Sequence, residues 1–250
     1  MNDMNSLDRL NDFFDENPRF ALAFSGGTDS AFLMHAARKH GAEIRCYSVF
    51  SEFQPRFELS DVQRLDPDAE IIPAEVLCDA EIRANGPLRC YHCKKRVFTL
   101  IKSHAAADGF DMVCDGTNAS DSYDDRPGMK ALAELGIRSP LRECGLTKAE
   151  IRAYSAEEGL FTADKPSYSC LATRVPTGTE ITAEALARIE DGEMYLFSLG
   201  FSDFRLRLRG DRFSLELLPE QLDPARSMLD TLKNRLGPLE LDLRKKKNDP

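Results

Sequence analysis

Residues 19–40 run RFALAFSGGTDSAFLMHAARKH. An apolar stretch, RFALAF, is broken by two glycines and passes straight into a segment whose Phe32, Leu33, Ala36 and Ala37 share one helical face, with Gly41 as its stop. The spacing therefore predicts a buried strand, a Gly-rich turn and a helix. A helix start leaves several backbone N–H groups without partners inside the helix. Glycines remove the Cβ atoms that would keep an anion away, and the helix dipole favours negative charge. Ser25, Gly26, Gly27, Thr28, Asp29 and Ser30 are thus expected to cradle an anion. An ordinary Gly-rich turn is the alternative.

The rest of the chain repeats that alternation. Met4, Leu7, Leu10, Phe13 and Phe14 space an amphipathic entry helix. Strands are predicted at EIRCYSVFS (43–51), AEIIPAEV (69–76), FDMVCDGTN (110–118) and IRSPL (137–141). Helices are predicted at DVQRLDPD (61–68), KKRVFTLIKSHAAADG (94–109), MKALAELG (129–136) and LTKAEIRAYSAEEGL (146–160). Thr147 and Glu150 open the last of these with a capping-box pattern. Strands alternating with helices imply an α/β fold with a parallel sheet covered on both faces. After residue 160 the pattern gives way to FTADKPSYSCLATRVPTGT, a long irregular stretch of the kind that is usually functional or a linker. Beyond it come a helix (182–200), two strands joined by a turn (204–210 and 211–218), a helix (222–237) and a strand (238–243). The expected organisation is a larger domain over 1–176 and a small α+β domain over 177–250.

A net charge of −9 argues against a broad nucleic-acid surface. The basic tail RKKKNDP (244–250) reads as a solvated terminal run. No apolar run approaches the ~18 residues of a membrane span, and the acidic, then amphipathic N-terminus is unlike a signal peptide. A cytoplasmic protein is expected. Seven cysteines make a disulfide framework improbable. Cys46, Cys78, Cys114 and Cys144 lie in or beside apolar runs and read as buried packing residues. Cys90, Cys93 and Cys170 lie in polar, Gly/Pro-rich surroundings.

The turn lacks the lysine of a Walker A loop and the GxGxxG of dinucleotide folds. It matches SGGxDS, the PP-loop of ATP pyrophosphatases. DGTNASD (115–121), RPGMKALAELGIRSPL (126–141), LTKAEIRAYS (146–155) and DKPSYSCLATR (164–174) then resemble the LarE family of sulfur transferases. That resemblance spans most of the chain and implies a Rossmann-like ATP-binding domain followed by a smaller one. It also implies adenylation of a pyridinium dicarboxylate mononucleotide in nickel-pincer cofactor biosynthesis, and a homo-oligomer, trimer or hexamer. Cys90-Tyr-His-Cys93 together with Cys170 is similar to the branch of the family in which three cysteines hold a [4Fe-4S] cluster. Three thiolates leave one iron open for an exogenous sulfide. A CxxC alone is equally a zinc half-site or a redox pair, and both stay open from the residues themselves.

Sulfide would also explain ATP use, because adenylation turns a poor leaving group of a carboxylate into AMP. Asp29 is expected to hold Mg²⁺ against the phosphates and Ser30 to donate to them or cap the helix. Ser48 and Phe50 end the second strand, where adenosine sits in such sheets, although Phe50 is equally a core residue. Gly116, Thr117 and Asn118 match residues that lie near the nucleotide in the family, with an ordinary turn as the alternative, and Asp121 and Arg126 extend that loop. Arg89, Arg174, Lys94 and Lys95 flank the cysteines and suit carboxylates or phosphate, while the lysine pair also fits a solvated helix start. Arg205, Arg207 and Arg209 alternate and so share one strand face. The first two match family arginines that bind phosphate at an oligomer contact; a solvated edge is the alternative. Thr173 and Thr177 depart from the Ser and Tyr frequent at those places. Rival readings are a tRNA thiolation enzyme and a non-catalytic nucleotide-binding redox sensor.

Overall fold

The computed structural model describes residues 5–121 and 127–244; Met4, Arg126 and the tail beyond 244 lie outside them. The elements run α1 (Ser6–Glu16), β1 (Arg19–Ala23), α2 (Thr28–His40), β2 (Glu43–Ser51), α3 (Arg56–Leu65) and β3 (Glu70–Ala74). Then come α4 (Ala80–Arg83), α5 (Arg89–Ala107), β4 (Val113–Cys114), α6 (Pro127–Glu134), α7 (Pro140–Glu143) and α8 (Lys148–Glu157). A 3-10 turn (Leu171–Arg174) precedes α9 (Ala183–Ser198), β5 (Arg205–Arg209), β6 (Arg212–Leu217), α10 (Leu222–Ser227), α11 (Leu229–Leu236) and β7 (Leu239–Leu243). Among the described residues, those within 1–51, 56–75 and 90–165 form one compact unit, and those within 52–55, 76–89 and 166–250 form another.

In the first unit the strand order is β3-β2-β1-β4, all parallel. Side chains alternate across the pleat. Phe20, Leu22 and Cys46 join a cluster with Phe14, Phe32, Leu33 and Ile151 on one face, whereas Ala21, Tyr47 and Val49 join Phe98, Ile101 and Met129 on the other. Burial on both faces explains why these strands read as continuous apolar runs. The chain runs outward from β1 through β2 to β3 and returns on the far side of β1 for β4, so the topological switch lies between β1 and β4. The fold is therefore the expected α/β, Rossmann-like arrangement.

The second unit carries a sheet of order β5-β6-β7, antiparallel then parallel. Helix α9 packs on β5 through Gly192, where an added Cβ would lie 2.4 Å from Leu206 Cδ2.

Several local expectations are corrected. IRSPL is no strand: only Arg138 bridges to Cys114, and Pro140 starts a helical turn after Ser139. FDMVCDGTN contributes only Val113–Cys114 to the sheet. The helix over 222–237 breaks at Met228, whose φ of −115° and ψ of 19° leave the helical well. Helix α3 starts at Arg56 rather than Asp61, and α5 starts at Arg89 rather than Lys94. Cys78 is exposed, not packed in a core.

Candidate functional site

The Gly-rich turn closes β1 and feeds α2 in the first unit, at the C-terminal edge of the sheet. Gly26 takes φ +68°, the left-handed region, and a Cβ there would meet Val62 Cγ2 at 3.0 Å. Gly27 is the N-cap of α2 and offers no side-chain cap, so the first-turn N–H groups face outward. Ser25 and Ser30 hydroxyls lie 3.1 Å apart, and Ser30 sits inside the first turn rather than at the cap. Thr28 is buried and its hydroxyl donates to the Thr162 carbonyl at 2.8 Å.

The loop after β4 approaches the same turn across the switch point. At Gly116 a Cβ would lie 2.9 Å from Ser30 N and 3.3 Å from Asp29 C, backbone atoms that cannot swing aside. Asp115 shapes this loop: it accepts from Thr117 N (3.1 Å), Thr117 Oγ1 (2.6 Å) and Ser139 Oγ (2.7 Å). Buried Asn118 lies near the Asp29 carboxylate and favours its charged form. Ser48 is buried and Phe50 half-buried at the end of β2, which lies on the opposite side of β1 from β4.

Two lysines not foreseen from the sequence complete the turn's surroundings. Lys148 Nζ donates to both carboxylate oxygens of Asp29, at 2.8 and 2.9 Å. Lys165 Nζ donates to the Gly26 carbonyl at 3.1 Å and to Asp61 at 2.7 Å. Burial lifts the Asp29 carboxyl above the ordinary aspartate range despite the attraction of Lys148, and nearby Asp121 adds to the lift. A signal was present for Lys148. A cation in the first turn of a helix opposes the dipole and needs another purpose.

Cys90 and Cys93 fall in the first turn of α5, where a spacing of three puts them on one face. Cys90 is exposed and Cys93 half-buried. Nearby Lys95 is spent on Tyr91 and Glu134, while the Lys94 stem lies over Gly128. In the second unit Cys170 is half-buried and immediately precedes the 3-10 turn. All seven cysteines are reduced thiols; Cys46, Cys114 and Cys144 are buried, and burial raises each thiol pKa, that of Cys144 to about 11. Among the described residues no group of three or more His, Cys, Asp or Glu side chains is gathered as a metal site.

Arg89 and Arg174 are turned toward the Cys170 segment of their own unit. Arg89 donates to Asn85 Oδ1 and to the Ala172 carbonyl, both at 2.8 Å. Arg174 pairs with Glu193 at 2.9 Å, each side chain 1% exposed, and also donates to Ser169 O and Thr173 Oγ1. Glu193 further accepts from Tyr168 and from Leu206 N. Arg207 pairs with Glu216 and donates to the Thr173 carbonyl at 2.8 Å. Arg205, Arg207 and Arg209 share a strand face as their alternation predicts, with Arg209 exposed. Desolvation lowers the Arg205 pKa, and the charges of Arg244, Arg174 and Arg207 lower it further.

No family model matches the chain. Over 222 residues it is 36% identical to an uncharacterised protein of Synechocystis, covering 86% of this chain and 82% of that one. Over 205 residues it is 32% identical to pyridinium-3,5-bisthiocarboxylic acid mononucleotide synthase of Lactiplantibacillus plantarum, covering 80% of this chain and 74% of the relative. The chain belongs to the LarE family. An uncharacterised protein of Methanocaldococcus jannaschii is 30% identical over 185 residues, 72% of this chain and 70% of that one. Among the described residues of this LarE-family chain, no helix is long and apolar enough to cross a membrane.

Proposed function

We propose that this protein is an ATP-dependent sulfur transferase that converts a carboxylate of pyridinium-3,5-biscarboxylate mononucleotide into a thiocarboxylate. The observation that carries the reading is the SGGTDS turn, with its uncapped helix start and its glycine-tight approach to the β4 loop, in a chain related to a bisthiocarboxylate synthase.

The chemistry follows from leaving groups. A substrate carboxylate oxygen attacks the α-phosphorus of ATP and expels pyrophosphate, giving an acyl-adenylate. Outward-facing N–H groups of α2 and the hydroxyls of Ser25 and Ser30 suit the β,γ-phosphates, and Asp29 suits Mg²⁺. Sulfide then attacks the acyl carbon, and AMP departs with the original carboxylate oxygen. A thiocarboxylate remains. Ser48, Phe50, Gly116 and Thr117 lie at the strand ends where a nucleoside is held in such sheets.

The sulfur is assigned to Cys90, Cys93 and Cys170. Their donor chemistry suits an iron–sulfur cluster: all three are thiols with some exposure, Cys46, Cys114 and Cys144 are buried, and exposed Cys78 lies outside the set that the family resemblance names. These three residues would hold a [4Fe-4S] cluster, and such a cluster would supply a replaceable sulfide at the iron they leave open. Arg89 and Arg174 brace the segment that carries Cys170. Arg205 and Arg209 suit the substrate phosphate, since an anion relieves the crowding of like charge on their strand face.

Anaerobically reconstituted protein, given ATP and the precursor, is expected to release AMP and pyrophosphate and to form a product heavier by the exchange of oxygen for sulfur. Formation of neither AMP nor thiolated product rejects the proposal. Light scattering of the same preparation tests the homo-oligomer.

A further inference from the structure

Lys148 and Asp29 meet in the first unit with their charges in the wrong places for an ordinary helix brace. Lys148 is the first residue of α8, where the helix dipole disfavours a cation. The start of α8 is already served by the Thr147–Glu150 capping box, and its first N–H goes to Ser120 Oγ at 3.0 Å. The ammonium therefore does nothing for its own helix. Asp29 in turn sits in the first turn of α2, beside the N–H groups that suit phosphate, where its negative charge would repel a polyphosphate. The two side chains are only 22% and 24% exposed, so each depends on the other for compensation.

We propose that Lys148 is the exchangeable counter-cation of the phosphate turn. In the nucleotide-free protein it neutralises Asp29; when a magnesium nucleotide arrives, the metal takes over Asp29 and the released ammonium moves onto the β,γ-phosphates. The proposal rests on the ATP-binding reading above. A lysine suits this exchange because its compact charge rides a flexible four-carbon stem, unlike the planar fork of arginine. The charge balance also follows: Asp29 with Lys148 is neutral without ligand, whereas Asp29, Mg²⁺ and Lys148 together carry +2 against the phosphates. The tight packing of Gly116 against the backbone of Asp29 and Ser30 holds that turn in place while the cations trade.

The test uses the full chain and Lys148→Met, with ATP and AMP binding followed by calorimetry and Mn²⁺ uptake without nucleotide followed by electron paramagnetic resonance. Loss of a charged hydrogen bond predicts at least about tenfold weaker ATP binding, with AMP affinity changed by less than about twofold. Freed of its lysine, Asp29 should also bind Mn²⁺ alone about tenfold more tightly than in the unsubstituted protein. A purely structural ion pair would weaken ATP and AMP by the same factor, and that outcome overturns the proposal, as does unchanged ATP affinity. Lys148→Gln carries the same comparison if the methionine variant does not fold. Should the unsubstituted protein fail to bind ATP at all, the ATP reading itself falls, an outcome distinct from failure of the variant comparison.

Discussion

Arg174 and Glu193 form an ion pair with both side chains 1% exposed, 2.9 Å apart, and the arginine's remaining donors grip Ser169 and Thr173 on either side of Cys170. A charge removed from such a pair leaves its partner buried and uncompensated. Glu193→Ala is expected to cost about 3–5 kcal/mol, measured by denaturant unfolding. Arg174→Met with Glu193→Leu should cost less than the single change, because no charge remains stranded. Equal losses in both variants would show that packing, not charge, dominates there.

The contact between Gly116 and α2 has a sharp steric consequence. Gly116→Ala forces a methyl to within 2.9 Å of Ser30 N, so the β4 loop or the phosphate turn must shift. ATP affinity is expected to fall by about tenfold or more, since pre-organised donors lose their geometry. Gly41→Ala is the control. Its φ of +98° makes it strained as well, but nothing lies within 4 Å of the new methyl, so stability falls while ATP affinity holds.

Iron content after reconstitution is the measurement that tests the cysteines one by one. Cys90→Ala, Cys93→Ala and Cys170→Ala should each abolish the iron–sulfur absorbance after anaerobic reconstitution. Cys78→Ala, an exposed thiol outside the assigned set, should keep full iron content. Full iron in any of the first three variants removes that residue from the ligand set. A Cys170 lighter by one sulfur after turnover, seen by mass spectrometry, would favour sacrifice of the residue over a replaceable sulfide.

Acid should weaken the first unit through Glu150. Hydrogen bonds from the Thr147 side chain and backbone, and from Ser6, hold its pKa below the usual glutamate range. A depressed folded pKa means the folded state favours the carboxylate, so the contribution is complete above the unfolded pKa and is lost as pH falls through the folded one. Glu143, held low first by Arg138, adds in the same direction. The midpoint of thermal unfolding should therefore drop as pH falls below about 4.5, and Glu150→Gln should flatten part of that slope. An unchanged slope would mean that the capping box survives protonation.

Much of this architecture was written in local pattern. The continuous apolar runs of β1 and β2, the glycine stop of α2 and the capping box of α8 depend on residues a few positions apart, and the structure carries each of them. The SGGTDS turn was equally legible, because its neighbours in sequence build both the strand before it and the helix after it. Where pattern misled, a nonlocal or backbone constraint decided. IRSPL has the apolar content of a strand, yet Pro140 and Ser139 turn it into a helix start. AEVLCDA has the content of a core segment, yet Cys78 is exposed.

By itself, then, the sequence determined the alternating elements and the glycine turn between the first strand and its helix, since each rests on side-chain period or residue type. Only the tertiary structure decided which charges meet. Lys148 reaches Asp29 across 119 positions of chain, and Arg174 is buried against Glu193 on another helix. Coulomb attraction depends on separation in space and on the local loss of water, and neither quantity is fixed by neighbours in the chain.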